Sequence, residues 1–229
     1  MKKTQYLILL LVVIILFPLN TLAGENGWKL YDNFNSGIID SQLWLIDDSS
    51  ARISIEAGMV KFEHDLRVPN DSSYLIFNKN PQKIKAIRAK VKIVADTLGD
   101  PRARIGGYIG RDEFGNRIWH TIGTRSEYQR NECYAGAYLP PNDDFQYDVF
   151  YAHFMRPLIM VDEWYTLEIE FNRNKLQYKA SDLGIIKHWL PMKIFKSDDI
   201  FKGIGTRNGY DPGSDGPFVV YFDDVYVKY

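Results

Sequence analysis

Cysteine is nearly absent from the chain. Cys133 stands alone, which excludes an intrachain disulfide and any zinc site built from cysteines. Net charge is nearly absent as well: 28 Lys and Arg against 29 Asp and Glu leave a formal −1. The basic surplus of a non-specific nucleic-acid binder is therefore missing. After residue 19 no apolar run approaches the roughly 20 residues that span a bilayer. Amphipathic helical periodicity is also missing, apart from a short stretch at Lys193–Phe201 that reads as one or two helical turns. Neither a Gly-x-Ser-x-Gly elbow, a His-Glu-x-x-His pair nor a phosphate loop occurs.

What the chain has is aromatic side chains: 15 Tyr, 13 Phe and 5 Trp in 229 residues, a composition that favours sheet over helix. It also has a leader. Met1-Lys2-Lys3 is basic, Tyr6 to Leu19 is almost unbroken apolar, and Thr21-Leu22-Ala23 offers small residues for cleavage. This pattern predicts a bacterial-type signal peptide over 1–23. The run is too short for a transmembrane anchor, and no cysteine follows it to carry a lipid. The expected mature chain, 24–229, loses two lysines, and its formal charge falls to −3. A secreted or periplasmic address follows, with no membrane segment after cleavage.

Alternation at period two dominates the mature chain. In Trp164 to Asn172, Tyr165, Leu167, Ile169 and Phe171 oppose Thr166, Glu168, Glu170 and Asn172, the pattern of a strand with one face in a core. Ile87, Ala89, Val91 and Ile93 alternate with Arg88, Lys90 and Lys92 in the same way. Shorter β-type runs lie at 52–56, 59–64, 73–78, 102–111, 117–124, 145–155, 175–180 and 218–229. Turn signals such as Ala57-Gly58, Gly99-Asp100-Pro101 and Arg173-Asn174 separate them. The expectation is an all-β sandwich or barrel over 24–229, a single domain with one short helix at most.

The opening Leu30-Tyr31-Asp32-Asn33-Phe34, the turn to Asp40 and the following Trp44 resemble the start of many secreted bacterial jelly rolls. So do the closing Val219–Val227 strand and the later hairpin of Trp164–Ile169 with Lys175–Tyr178. The family resembled is the concanavalin A-like lectin/glucanase superfamily, which includes laminin G-like modules. The resemblance implies a jelly-roll β-sandwich of two antiparallel sheets. It implies no single activity, because the superfamily hosts binding modules, hydrolases, lyases and adhesion domains.

Laminarinase-type members carry Glu-x-Asp-x-Glu, or that pattern with one more residue, on one strand. This supplies two carboxylates about 5 Å apart in a retaining mechanism. Neither variant occurs here. Glu168 and Glu170 share a face at i, i+2, and water-facing glutamates on a half-buried strand explain them. Alginate-lyase members begin with Arg-Ser/Thr-Glu, which Arg125-Ser126-Glu127 resembles. Their Gln-x-His strand and late Tyr-Phe-Lys-x-Gly-x-Tyr strand, which supply the proton-transfer groups, are missing. Cys133, with no base nearby in sequence, reads as a buried thiol.

Many carbohydrate-binding jelly rolls hold a structural calcium where the first and last strands meet. That resemblance would place Asp32, Asp223 and Asp224 together, with Asp211 and Asp215 in the preceding loop, an oxygen-rich set. Asp-Pro-Gly and Ser-Asp-Gly are equally ordinary turn sequences. Asp223-Asp224 also reads as a bulge, because Phe222 and Val225 fall out of phase.

Sugars bind by stacking on aromatic rings while planar polar groups take the hydroxyls. In Arg102–Ile109, Ala103, Ile105 and Ile109 read as core and leave Arg102, Arg104 and Tyr108 on the other face. Next, Ile118, His120 and Ile122 leave Trp119 and Thr121. The 145–155 run is apolar on both phases, with Tyr147 and Tyr151 on one. Arg104, Tyr108, Trp119, Tyr147 and Tyr151 are thus the expected glycan-binding cluster on the concave sheet, unless the aromatics pack beneath a 126–144 loop. The expected function is a non-catalytic jelly-roll module binding a polysaccharide or other glycan. The alternatives are a divergent lyase or glycoside hydrolase, and a structural or adhesion domain that meets protein.

Overall fold

In the computed structural model the described residues are 27–47, 51–64, 72–94, 101–111, 117–127, 130–138, 158–172, 175–189, 200–208 and 217–229. They form fourteen strands: β1 Lys29–Asp32, β2 Trp44–Asp47, β3 Arg52–Glu56, β4 Met59–His64, β5 Ser72–Phe77, β6 Ala86–Ile93, β7 Pro101–Arg111, β8 Arg117–Glu127, β9 Arg130–Tyr138, β10 Tyr165–Asn172, β11 Lys175–Ala180, β12 Ile185–Trp189, β13 Phe201–Asn208 and β14 Phe218–Lys228. One antiparallel sheet has the order β12-β11-β10-β6-β14-β4-β3, with β1 also on β14. The other runs β2-β5-β13-β7-β8-β9. The expected jelly-roll sandwich is the architecture found.

The alternation read from the sequence places the core. Ile87, Ala89 and Val91 of β6 and Leu167 and Ile169 of β10 are buried. They pack with Leu75, Phe77, Ala103, Ile105 and Ile204 from the facing sheet. Cys133 is buried in that core.

At its N-terminal half β14 pairs on one side with β4, through Phe218–Phe222. Past Asp224 the same side pairs with β1, through Val225–Val227. The bulge read from Asp223-Asp224 marks this exchange: the β6 register shifts between Asp223 and Tyr226, and Asp224 has φ 47°. The extra residue resets the phase, so Phe222 and Val225 are both buried.

The strands β2 and β12 are not among the expected runs, and two further differences bear on the site. Residues 130–138, expected within a loop, are strand β9. Its Cys-Tyr-Ala-Gly-Ala sequence carries too few large apolar residues to show a period. Phe201, expected to end a short helix, begins β13; Ile200 before it is in no regular element, and 193–199 lie outside the described residues. In β13 Gly203 and Gly205 imitate a turn in sequence. Tertiary packing requires them instead, because a Cβ on either would collide with the backbone of β5.

Candidate functional site

Ladder partners in an antiparallel sheet share a face, so the register of the six-stranded sheet fixes which residues stand together. Its core-facing rows are Ser73–Thr206–Ala103–Thr124–Cys133 and Leu75–Ile204–Ile105–Ile122–Ala135. The intervening rows occupy the other phase of the pleat, whose members on β7 and β13, apart from Phe201 and Arg207, are buried where described. The first joins Phe201, Tyr108, Trp119 and Tyr138. The next joins Ile76, Gly203, Gly106, Thr121 and Gly136. Then come Tyr74, Gly205, Arg104, Gly123 and Tyr134, followed by Ser72, Arg207, Arg102, Arg125 and Glu132.

Tyr108 and Trp119, assigned from sequence to one cluster, are direct ladder partners. Arg104 lies on the same face four residues from Tyr108, but it is only 3% exposed and not the accessible side chain expected. Glycines flank it on both neighbouring strands, and the Tyr74 ring occupies the space a Gly205 side chain would take. Tyr147 and Tyr151 lie outside the described residues. Sequence reading missed Phe201, Tyr138, Tyr74 and Tyr134. All but Tyr74 lie on β9 and β13, which the sequence reading missed, and Tyr74 is the half-buried alternate of β5. Tyr74 and Phe201 meet edge-on, with ring centroids 5.5 Å apart.

Asp32, Asp223 and Asp224 do come to one region, since β1 pairs with β14 there. Their oxygens serve local bonds. Asp32 accepts from the Phe34 N–H and from the Trp44 Nε1–H, each at 2.8 Å. Asp223 accepts from the Asp224 N–H at 2.7 Å, and Asp224 pairs with Lys90 Nζ at 2.6 Å. Burial raises the Asp223 pKa, helped by the charge of neighbouring Asp224 and partly offset by that backbone bond. Among the described residues no group of three His, Cys, Asp or Glu is placed to hold a metal. Asp211 and Asp215 lie outside them.

The opposite sheet holds a cleft of about 180 Å³ lined by Trp28, Arg88, Glu168, Glu170, Lys179 and Lys228, among others. Glu168 lies 3.1 Å from Arg88 Nε and 3.3 Å from Lys179 Nζ. The Arg88 Nε–H points off that line and makes no hydrogen bond. Arg88 and Lys228 lie 4.3 and 4.6 Å from the centre of the Trp28 ring. Trp28 is 4% exposed and offers no open ring face for a sugar.

No family model and no curated protein sequence matches the chain. Its fold matches solved structures of glycan-acting jelly rolls. One is from work on endo-acting O-glycanases of human gut microbiota that initiate mucin breakdown (13% identity, TM-score 0.56, covering 86% of this chain and 97% of that one). Another is a prokaryotic β-1,3-1,4-glucanase from a mouse hindgut metagenome (12%, 0.52, 88% and 97%). A third is the κ-carrageenase of Pseudoalteromonas carrageenovora, solved with an oligotetrasaccharide (10%, 0.58, 91% and 97%). At these identities the likeness shows the fold alone, a jelly-roll β-sandwich.

Proposed function

We propose that this protein is a secreted or periplasmic glycan-binding module whose ligand lies along the outward face of the six-stranded sheet. The ladder row Phe201–Tyr108–Trp119–Tyr138 carries this assignment. The row sets four aromatic residues at one level of four neighbouring strands, about 4.8 Å apart, a spacing suited to successive sugars. The expected leader, residues 1–23, supports the address. Among the described residues no helix is long and apolar enough to cross a membrane. Glycan-array screening of the full chain should give polysaccharide hits, and Trp119→Ala should abolish them while leaving the melting temperature nearly unchanged. A bare array, or retention of every hit by the variant, overturns the assignment.

A further inference from the structure

The eight-stranded sheet ends on β3. A two-residue turn, Ala57-Gly58 with φ 51° and 76°, joins β3 to β4. Such a turn is closed by a hydrogen-bonded pair, here Glu56 with Met59. Alternation then directs the backbone N–H and C=O of Ser54 and Arg52 to β4 as well, and those of Ile53 and Ile55 to the free edge. No other described strand pairs there. Ala51, next in the same phase, gives its N–H to Ser73 Oγ at 2.8 Å, so the open stretch starts at Ile53. Ile53 and Ile55 are half-buried on the core side, where their ladder partners Phe62 and Val60 are fully covered. β3 has no lysine, no proline and no register shift, the usual protections of an edge.

We propose that this edge takes a second copy of the chain: two β3 strands pair antiparallel about a two-fold axis at Ser54 and join their eight-stranded sheets. The strand reads Arg-Ile-Ser-Ile-Glu, which is self-complementary about Ser54. In that register Ile53 faces Ile55 of the second copy on either side of the axis. Each such pair exchanges both of its N–H···O=C bonds, and every isoleucine stays on the core side of the joined sheet. Arg52 faces Glu56 of the second copy at both ends. Both residues are already engaged within their own chain, Arg52 with Glu63 at 2.6 Å and Glu56 with Lys61 at 3.3 Å, and their side chains are 63% and 55% exposed. The crossed pairs therefore set register more than strength. A slip of two residues either way loses both charge pairs, by setting Arg52 or Glu56 opposite Ser54. A slip of one turns the isoleucines of one copy to the other face.

One strand pair makes a small interface, so the dimer should be weak and dependent on concentration. Sedimentation velocity of the full chain from about 1 to about 500 µM should show it growing in across the micromolar range. Arg52→Glu and Glu56→Arg each set like charges opposite one another at both ends. Each should weaken dimerisation about tenfold or more while staying folded. Mixed in equal amounts, the two variants regain both opposite-charge pairs and should associate as well as the parent. Ser54→Cys should cross-link two copies on oxidation, because residues facing each other in a non-hydrogen-bonded pair stand about 4.5 Å apart, within disulfide reach. Cys133 is buried and does not compete. A monomer at every concentration overturns the interface. Association that neither charge reversal weakens, or that mixing the two variants fails to restore, overturns the β3 register.

Discussion

Asp32 accepts the indole Nε1–H of Trp44 at 2.8 Å, across a gap of twelve residues. Its other oxygen accepts the Phe34 N–H at 2.8 Å and holds a turn in which Phe34 has φ 54°. Phe34 and Trp44 are both buried, and Tyr31 meets Trp44 and Phe77 edge-on at 5.0 and 4.7 Å. The aspartate thus clasps β1 to β2, tying the two sheets at one edge. That is the work done by the Asp, the Phe and the Trp of the opening segment.

Asp32→Ala should lower unfolding free energy by about 2–3 kcal/mol, because it removes two charge-assisted bonds and leaves a buried indole N–H without an acceptor. Urea denaturation measures this. The loss should be equal with and without a chelator. A loss that disappears when calcium is chelated would show that Asp32 acts through a metal.

Lys202 should give stability a pH dependence. Its Nζ donates to the carbonyl oxygens of Pro81 and Ile84 at 3.1 and 2.5 Å and lies 4.8 Å from the centre of the Phe171 ring. Burial lowers its pKa from 10.5 to about 8. Folding therefore carries a charged-lysine penalty below pH 8, on the order of 3 kcal/mol. As pH rises from 8 toward 10.5 the folded lysine loses its proton first and the penalty disappears, so stability should rise. Lys202→Met should remove that rise, and the difference between the two proteins in urea melts at pH 7 and pH 10 isolates it. Parallel curves would disprove the linkage.

The bulge at Asp224 predicts an order of substitutions. A β-branched side chain at φ 47° is strained, so Asp224→Val should cost about 2 kcal/mol. Asp224→Gly relieves the backbone but gives up the Lys90 ion pair, which is partly exposed and contributes under about 1 kcal/mol. It should fall within about 0.5 kcal/mol of the parent. Thermal melts of the pair decide it, and equal losses would contradict the strained-backbone account.

Gly205→Ala should destabilise by about 1–3 kcal/mol or more, since its Cβ would meet the Ser73 carbonyl and the Tyr74 ring. The same change should weaken glycan binding by displacing Tyr74. Normal stability with normal binding would show that the face is roomier than its register implies.

The sequence by itself determined the alternating strands, the two-faced sheets and the bulge. Hydrophobic burial on one face writes a period of two into the residues, as in Ile87–Ile93 and Leu167–Phe171. It also placed Tyr108 and Trp119 outside the core phase. Strand partnership depends on residues far apart in sequence, and only the tertiary structure decided it. Phe201 meets Tyr108 across 93 positions, and nothing local in Phe-Lys-Gly-Ile-Gly-Thr-Arg marks a central strand. Gly203 and Gly205 signal a turn until β5 lies against them. The fate of Arg104 was decided in the same way. Alternation put it off the core phase, yet it is 3% exposed in the folded sheet. A residue's face is a local property of the strand. Its access to solvent belongs to everything packed around it.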